Sequence, residues 1–119
     1  MDNKYQTGLE GQQAAERYLQ SKGYIVQARN YRIKTGEIDL VVMDGEYIVF
    51  VEVKFRSSLD YGYPREAVGA IKQKRMLTTA MHYLTKHNLT NCDIRFDVVE
   101  VLKQHGKLYA SHIENAFEA

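Results

Sequence analysis

Apolar residues recur at two different periods along the 119-residue chain, and the changes of period mark out its elements. Leu9, Ala15, Tyr18 and Leu19 form a stripe at helical spacing and Gly23 stands in the stop position, so residues 8–22 are expected to be a helix. A strand is expected within 24–33, carried by Tyr24-Ile25-Val26 and then Asn30-Tyr31-Arg32. Two apolar runs, 37–43 and 47–55, read as strands joined by a two-residue turn at Asp44-Gly45. Pro64 stands near the start of a long helix over 65–87, with Val68, Ile71, Leu77, Ala80, Met81 and Leu84 inward. Gly69 falls inside that helix, at a cost of about 1 kcal/mol relative to alanine. Residues 94–102 alternate as a strand, and 107–113 return as another after a Gln104-His105-Gly106 turn. A helix, strands, a second helix and two more strands predict an α/β sandwich with a central mixed β-sheet flanked by helices.

Three charges interrupt the hairpin: Asp39, Glu52 and Lys54. The second run is otherwise apolar, as expected of a strand covered on both faces, and a charge there is costly unless paired or bound to a metal. With Asp44 and Gly45 as the turn, Met43 faces Glu46 and Asp39 faces Phe50. Side chains alternate faces, so Asp39, Phe50, Glu52 and Lys54 share one face. Asp39 and Glu52 become diagonal neighbours, roughly 7–8 Å apart at Cα and within reach of one cation. A loop longer by one residue, without a compensating bulge, would put them on opposite faces.

Two carboxylates offer hard oxygen ligands suited to Mg²⁺ or Mn²⁺, which retain waters and are often completed by phosphate. A lysine beside them can orient or help deprotonate an attacking water, or stabilise developing negative charge. The competing reading is an internal salt bridge between Lys54 and a carboxylate.

Gly36-Glu37-Ile38-Asp39 followed by Phe50-Val51-Glu52-Val53-Lys54 resembles the motif of the PD-(D/E)XK nuclease superfamily, with its restriction-endonuclease-like fold. More narrowly, nearly the whole chain resembles the YraN-like family of small bacterial proteins, related to archaeal Holliday-junction resolvases. That match runs from Gly8 and Gly11 through Asn30-Tyr31-Arg32 and the central motif to Arg56-Ser57. It continues over 64–68, Lys72-Gln73-Lys74, Arg95-Phe96-Asp97-Val98-Val99 and 113–117. The resemblance implies a Mg²⁺- or Mn²⁺-dependent endonuclease acting on DNA, branched DNA included. Asp39, Glu52 and the Val53 carbonyl would be metal ligands and Lys54 the catalytic lysine. Family members usually carry Gly-x-x-Gly-Glu on the first helix, and that glutamate is a candidate auxiliary ligand. This chain has Gln12 there, an amide oxygen without charge. A symmetric homodimer is the expected assembly, by analogy.

Composition narrows the picture. The length suits one domain spanning 1–119, with one proline and no repeat. No run approaches the roughly 18 apolar residues of a membrane span, and the single Cys92 excludes an internal disulfide and fits a reducing cytoplasm. The four histidines lack the spacing of a zinc site. Net charge is +1, with 16 Lys and Arg against 15 Asp and Glu. Arg32, Arg56, Lys72, Lys74 and Arg75 are candidate phosphate contacts, the last three early in a helix where the dipole disfavours them. Tyr61 and Tyr63 are candidates to stack on bases. Glu37, Glu66 and Gln73 are candidate supporting groups, and Asp97 is expected to pair with Arg95 or a nearby backbone group. Three functional classes stay open: a metal-dependent nuclease, a nucleic-acid-binding module with a degraded site, and a structural or partner-binding domain with an internal ion network.

Overall fold

The computed structural model describes residues 4–57 and 68–118, without the side chains of 4–7 and 57. In chain order the elements are α1 (Lys4–Ser21), β1 (Ile25–Ile33), β2 (Gly36–Asp44), β3 (Tyr47–Ser57), α2 (Ala70–Lys86), β4 (Ile94–Gln104) and β5 (Lys107–Phe117). The strands form one sheet in the order β1-β2-β3-β4-β5, antiparallel throughout except for the parallel pair β3–β4. That parallel step is where α2 intervenes in the sequence, as a parallel connection requires. This is the expected α/β sandwich, a five-stranded mixed sheet flanked by two helices. No described helix is long and apolar enough to cross a membrane.

Each helix covers one face of the sheet. Ala15 and Leu19 of α1 pack with Leu40, Val42, Val49, Val51, Val99 and Val101. Met76, Ala80, Tyr83 and Leu84 of α2 pack with Val41, Ile48, Phe50, Phe96 and Val98 on the other face. Burial of both faces explains why β3 reads as a continuous apolar run. Two glycines allow the helices to come this close. A methyl on Gly11 of α1 would fall 2.5 Å from Phe55 Cδ1, and one on Gly36 of β2 would fall 2.9 Å from the Arg75 carbonyl and against the Thr79 hydroxyl. Both contacts lie beside the central motif, so they set how near α1 and α2 approach it.

Several expectations are corrected. The second helix begins at Ala70, and Gly69 is its N-cap with an extended backbone, so it carries no helix-interior cost. From that start the buried stripe is Met76, Thr79, Ala80, Tyr83 and Leu84. Ile71 and Met81, expected inward, are 72 % and 47 % exposed because they fall off that stripe. Cys92 lies exposed in the turn before β4.

The hairpin turn also moves. Asp44 pairs with Tyr47 and Met43 with Ile48, so the loop is Gly45-Glu46, not Asp44-Gly45. Gly45 takes φ +60°, and Asp44 is held in the strand by Arg95, whose Nη1 donates to Asp44 Oδ2 at 2.9 Å. Moving the turn by one residue shifts the register by two. Parity survives, and with it the shared face.

Candidate functional site

The β2–β3 ladder ends at Leu40–Val51. Continued one step further, that register sets Asp39 opposite Glu52 in place of the diagonal arrangement expected from the sequence, and the two carboxyls share a hydrogen bond. The two strands part here, and the Val53 N–H donates to Asp39 Oδ2 at 2.8 Å. A side-chain oxygen therefore takes over from the ladder at the point where it ends.

Asp39 also marks a change of face within β2. Ile38 packs with the α2-side cluster, whereas Leu40 packs with the α1-side cluster. On β1 the register passes from Arg29–Leu40 to Tyr31–Ile38, so Asn30 stands across from Asp39, and it takes φ +51°. A residue in that conformation reorients the strand locally. The consequence is that Asp39 is reached from both sides of the sheet. On the α2 side it lines a cleft of about 1130 Å³ together with Glu52, Arg32, Lys34, Lys72 and Arg75. On the α1 side it lines a second cleft of about 540 Å³ together with Gln12, Val53 and Phe55. Arg32 and Glu37 line both clefts and pair with each other at 2.7 Å.

The electrostatics are those of a crowded anionic centre. Burial, then the Glu52 charge beside it, raise the Asp39 carboxyl from 3.8 to about 7, against the opposing Val53 N–H; a shared hydrogen bond with Glu52 and the charge of Glu37 raise it further. The Glu52 side chain is 5 % exposed. Two cations answer it: Lys54 Nζ lies 3.9 Å from Glu52 Oε2, and Lys72 of α2 contacts the same oxygen directly. The Lys72 contact was not foreseen, since the residue was expected only to meet phosphate. Its signal in the sequence was an ammonium in the first turn of a helix, where the dipole opposes it.

The other expected residues sort clearly. Gln12 faces the α1-side cleft with Asp39 and Val53. Gln73 turns away from the centre and donates from Nε2 to the Val68 carbonyl at 2.8 Å. Arg56 Nη1 meets the buried Glu100 at 2.7 Å, and Lys74 is exposed on α2; neither is among the side chains lining the two clefts. Glu66, Tyr61 and Tyr63 lie outside the described residues. Asp97 forms a separate hub: Arg95 donates to both of its oxygens at 2.9 Å, His112 Nε2 reaches it at 2.7 Å, and the Asn115 N–H donates at 2.9 Å. Asp97 thus pairs with both Arg95 and a backbone group, as expected, and caps the irregular pairing between Phe96 and Val98.

Chemically, Asp39 and Glu52 supply two adjacent hard oxygen donors, which suits a divalent cation that keeps several waters. Among the described residues no group of three or more His, Cys, Asp or Glu side chains gathers for a metal. Among the described residues the further protein donors would be uncharged, the Val53 carbonyl or the Gln12 amide oxygen.

The chain matches the model of the Uncharacterised protein family UPF0102 over residues 11–101. It is 44 % identical over 117 residues to a UPF0102 protein of Clostridioides difficile (strain 630), covering 98 % of this chain and 100 % of that one. It is 45 % identical over 120 residues to a UPF0102 protein of Lachnoclostridium phytofermentans, covering 98 % and 97 %. With one from Symbiobacterium thermophilum it shares 47 % identity over 113 residues, 94 % and 96 % of the two chains. The chain belongs to the UPF0102 family.

Proposed function

We propose that this protein is a metal-dependent endonuclease that hydrolyses DNA phosphodiesters, with branched DNA the substrate class implied by its resemblance to the resolvases. The observation that carries the reading is the adjacency of the Asp39 and Glu52 carboxyls where β2 and β3 part, in a cleft that also holds four basic side chains. Asp39 and Glu52 would hold Mg²⁺ or Mn²⁺, with the Val53 carbonyl and the Gln12 amide as uncharged neighbours. The cation supplies positive charge to the phosphate of the bond to be cut. Lys54, beside Glu52, orients the attacking water and stabilises the negative charge that develops on phosphorus oxygens. Arg32, Lys34 and Arg75 along the α2-side cleft hold the flanking phosphates, contacts that carry no sequence information and weaken with salt.

A second reading, a nucleic-acid-binding module without cleavage, is favoured by the Lys72 contact, which balances Glu52 without any metal. One series separates the two. Purified protein is incubated with supercoiled, linear, single-stranded and four-way-junction DNA in Mg²⁺ or Mn²⁺, beside Asp39→Asn and Lys54→Ala. Metal-dependent cleavage by the wild type that falls by about 10²-fold or more in both variants supports the nuclease. Cleavage that persists in both sinks the site assignment, and salt-sensitive binding without cleavage selects the second reading. Gln12→Glu is expected to tighten metal binding by adding a third carboxylate next to Asp39.

A further inference from the structure

Glu52 is an almost fully buried carboxylate beside a second one, and it sits in a strand that is otherwise apolar. Such a charge needs a partner, because an unpaired buried carboxylate costs several kcal/mol. Lys54 stands off at 3.9 Å, whereas Lys72 makes the direct contact from the neighbouring helix. By local rules Lys72 is badly placed. The first turn of α2 carries no acidic residue, and an ammonium there opposes the helix dipole. Glu52 offsets that misfit from across the cleft. Lys72 nevertheless keeps 47 % of its side chain exposed. Its stem runs through the open cleft while its tip rests on a buried oxygen, so the tip can leave without disturbing the core. It shares that cleft with Arg32, Lys34 and Arg75.

We propose that Lys72 is the resident counter-cation of Glu52, which neutralises the carboxylate until a divalent cation takes its place and is then released to a phosphate oxygen of DNA in the same cleft. The proposal rests on the nuclease reading above. It makes metal and DNA binding cooperative. Metal entry displaces Lys72 and adds one cation to the DNA-facing wall, and by reciprocity bound DNA that holds Lys72 strengthens metal binding. It also means that the lysine lowers metal affinity in the free protein.

The test uses the full chain and Mn²⁺ as probe, by titration calorimetry at pH 8. Lys72→Met keeps the stem and removes the charge, and it is expected to bind Mn²⁺ about threefold or more tightly than the wild type. A purely structural ion pair would not produce that gain. The second arm measures DNA binding against salt in a Lys54→Ala background, which retains both carboxylates. Adding Lys72→Met should reduce the salt slope by about one in Mn²⁺ and leave it unchanged in EDTA. Mn²⁺ that binds the wild type, is lost in Asp39→Asn, but binds Lys72→Met no more tightly overturns the counter-cation role and leaves the nuclease reading standing. An equal slope change with and without Mn²⁺ makes Lys72 an ordinary phosphate contact and also overturns it. Absence of Mn²⁺ binding in every variant, together with absence of metal-dependent cleavage, overturns both.

Discussion

Asp39→Asn should stabilise the metal-free protein, and by an amount that depends on pH. Burial and the Glu52 charge raise the Asp39 carboxyl from 3.8 to about 7 in the fold. A rise of that size corresponds to about 4 kcal/mol of disfavoured ionisation. Water in the open cleft screens part of it, leaving roughly 2 kcal/mol at pH 8. Asparagine mimics the protonated acid: its oxygen can still accept the Val53 N–H, and its amide can donate to Glu52. The sign follows from proton uptake. Between about pH 4 and pH 7 the folded chain holds a proton on Asp39 that the unfolded chain has lost. The wild type therefore has this contribution in full below the unfolded value, and loses it as pH rises through the folded one. The variant does not.

The stability difference should accordingly grow from about 0.5 kcal/mol at pH 4 to about 2 kcal/mol at pH 8. Urea unfolding in EDTA, followed by far-ultraviolet circular dichroism because the chain has no tryptophan, measures it directly. Under the nuclease reading the same variant loses cleavage, so stability and activity move in opposite directions, the signature of a strained functional site. A variant no more stable than the wild type at pH 8, or a gain that is flat with pH, would refute the claim that burial and the Glu52 charge disfavour the ionised Asp39 carboxyl in the fold.

Two further outcomes test how the rest of the molecule holds this centre. Asp97→Ala leaves Arg95 and His112 without their shared carboxylate and the Asn115 N–H without an acceptor, so a loss of about 3–5 kcal/mol in urea unfolding is expected; a loss under about 1 kcal/mol would show that Asp97 is no hub. Burial pushes the Asp97 carboxyl up, but His112, Arg95 and the Asn115 N–H together hold it below its ordinary value; its contribution is therefore present above that ordinary value and lost as pH falls through the folded one. Gly36→Ala drives a methyl against the Arg75 carbonyl and the Thr79 hydroxyl and should cost about 1–3 kcal/mol by displacing α2. An unchanged unfolding midpoint would mean that α2 yields without cost.

What the sequence made legible depended on parity more than on detail. Asp39 and Glu52 come together although the turn was placed one residue early, because the resulting register error was two, and an even error leaves every side chain on its face. Asp97 with Arg95 was legible because the partners are two residues apart on one strand. His112 was not, since it joins that carboxylate only through the β4–β5 pairing. The face change at Asp39 was likewise hidden. It arises where Asn30 takes a left-handed conformation across from Asp39, and asparagine in a strand-like run does not announce that. The outward turn of Ile71 and Met81 followed from where α2 begins, a boundary that composition around Pro64 and Gly69 left ambiguous.

Lys72 and Glu52 show what kind of information was missing. Each was an anomaly when read locally: an acid inside an apolar strand, and a base in the first turn of a helix. Neither could be assigned to the other, because 20 residues separate them and the helix axis relative to the strand is decided by packing against Gly36 and Phe50. Two misfits of opposite sign on consecutive elements of a β–α unit are nevertheless a specific signal. Each raises the cost of folding unless the unit brings them together, so their coexistence favours the arrangement in which they meet. Here that arrangement also leaves the pair in the open α2-side cleft, beside Asp39. A pair that only stabilised the fold would serve as well deep in the core, whereas a pair at an open cleft is one that a ligand can break.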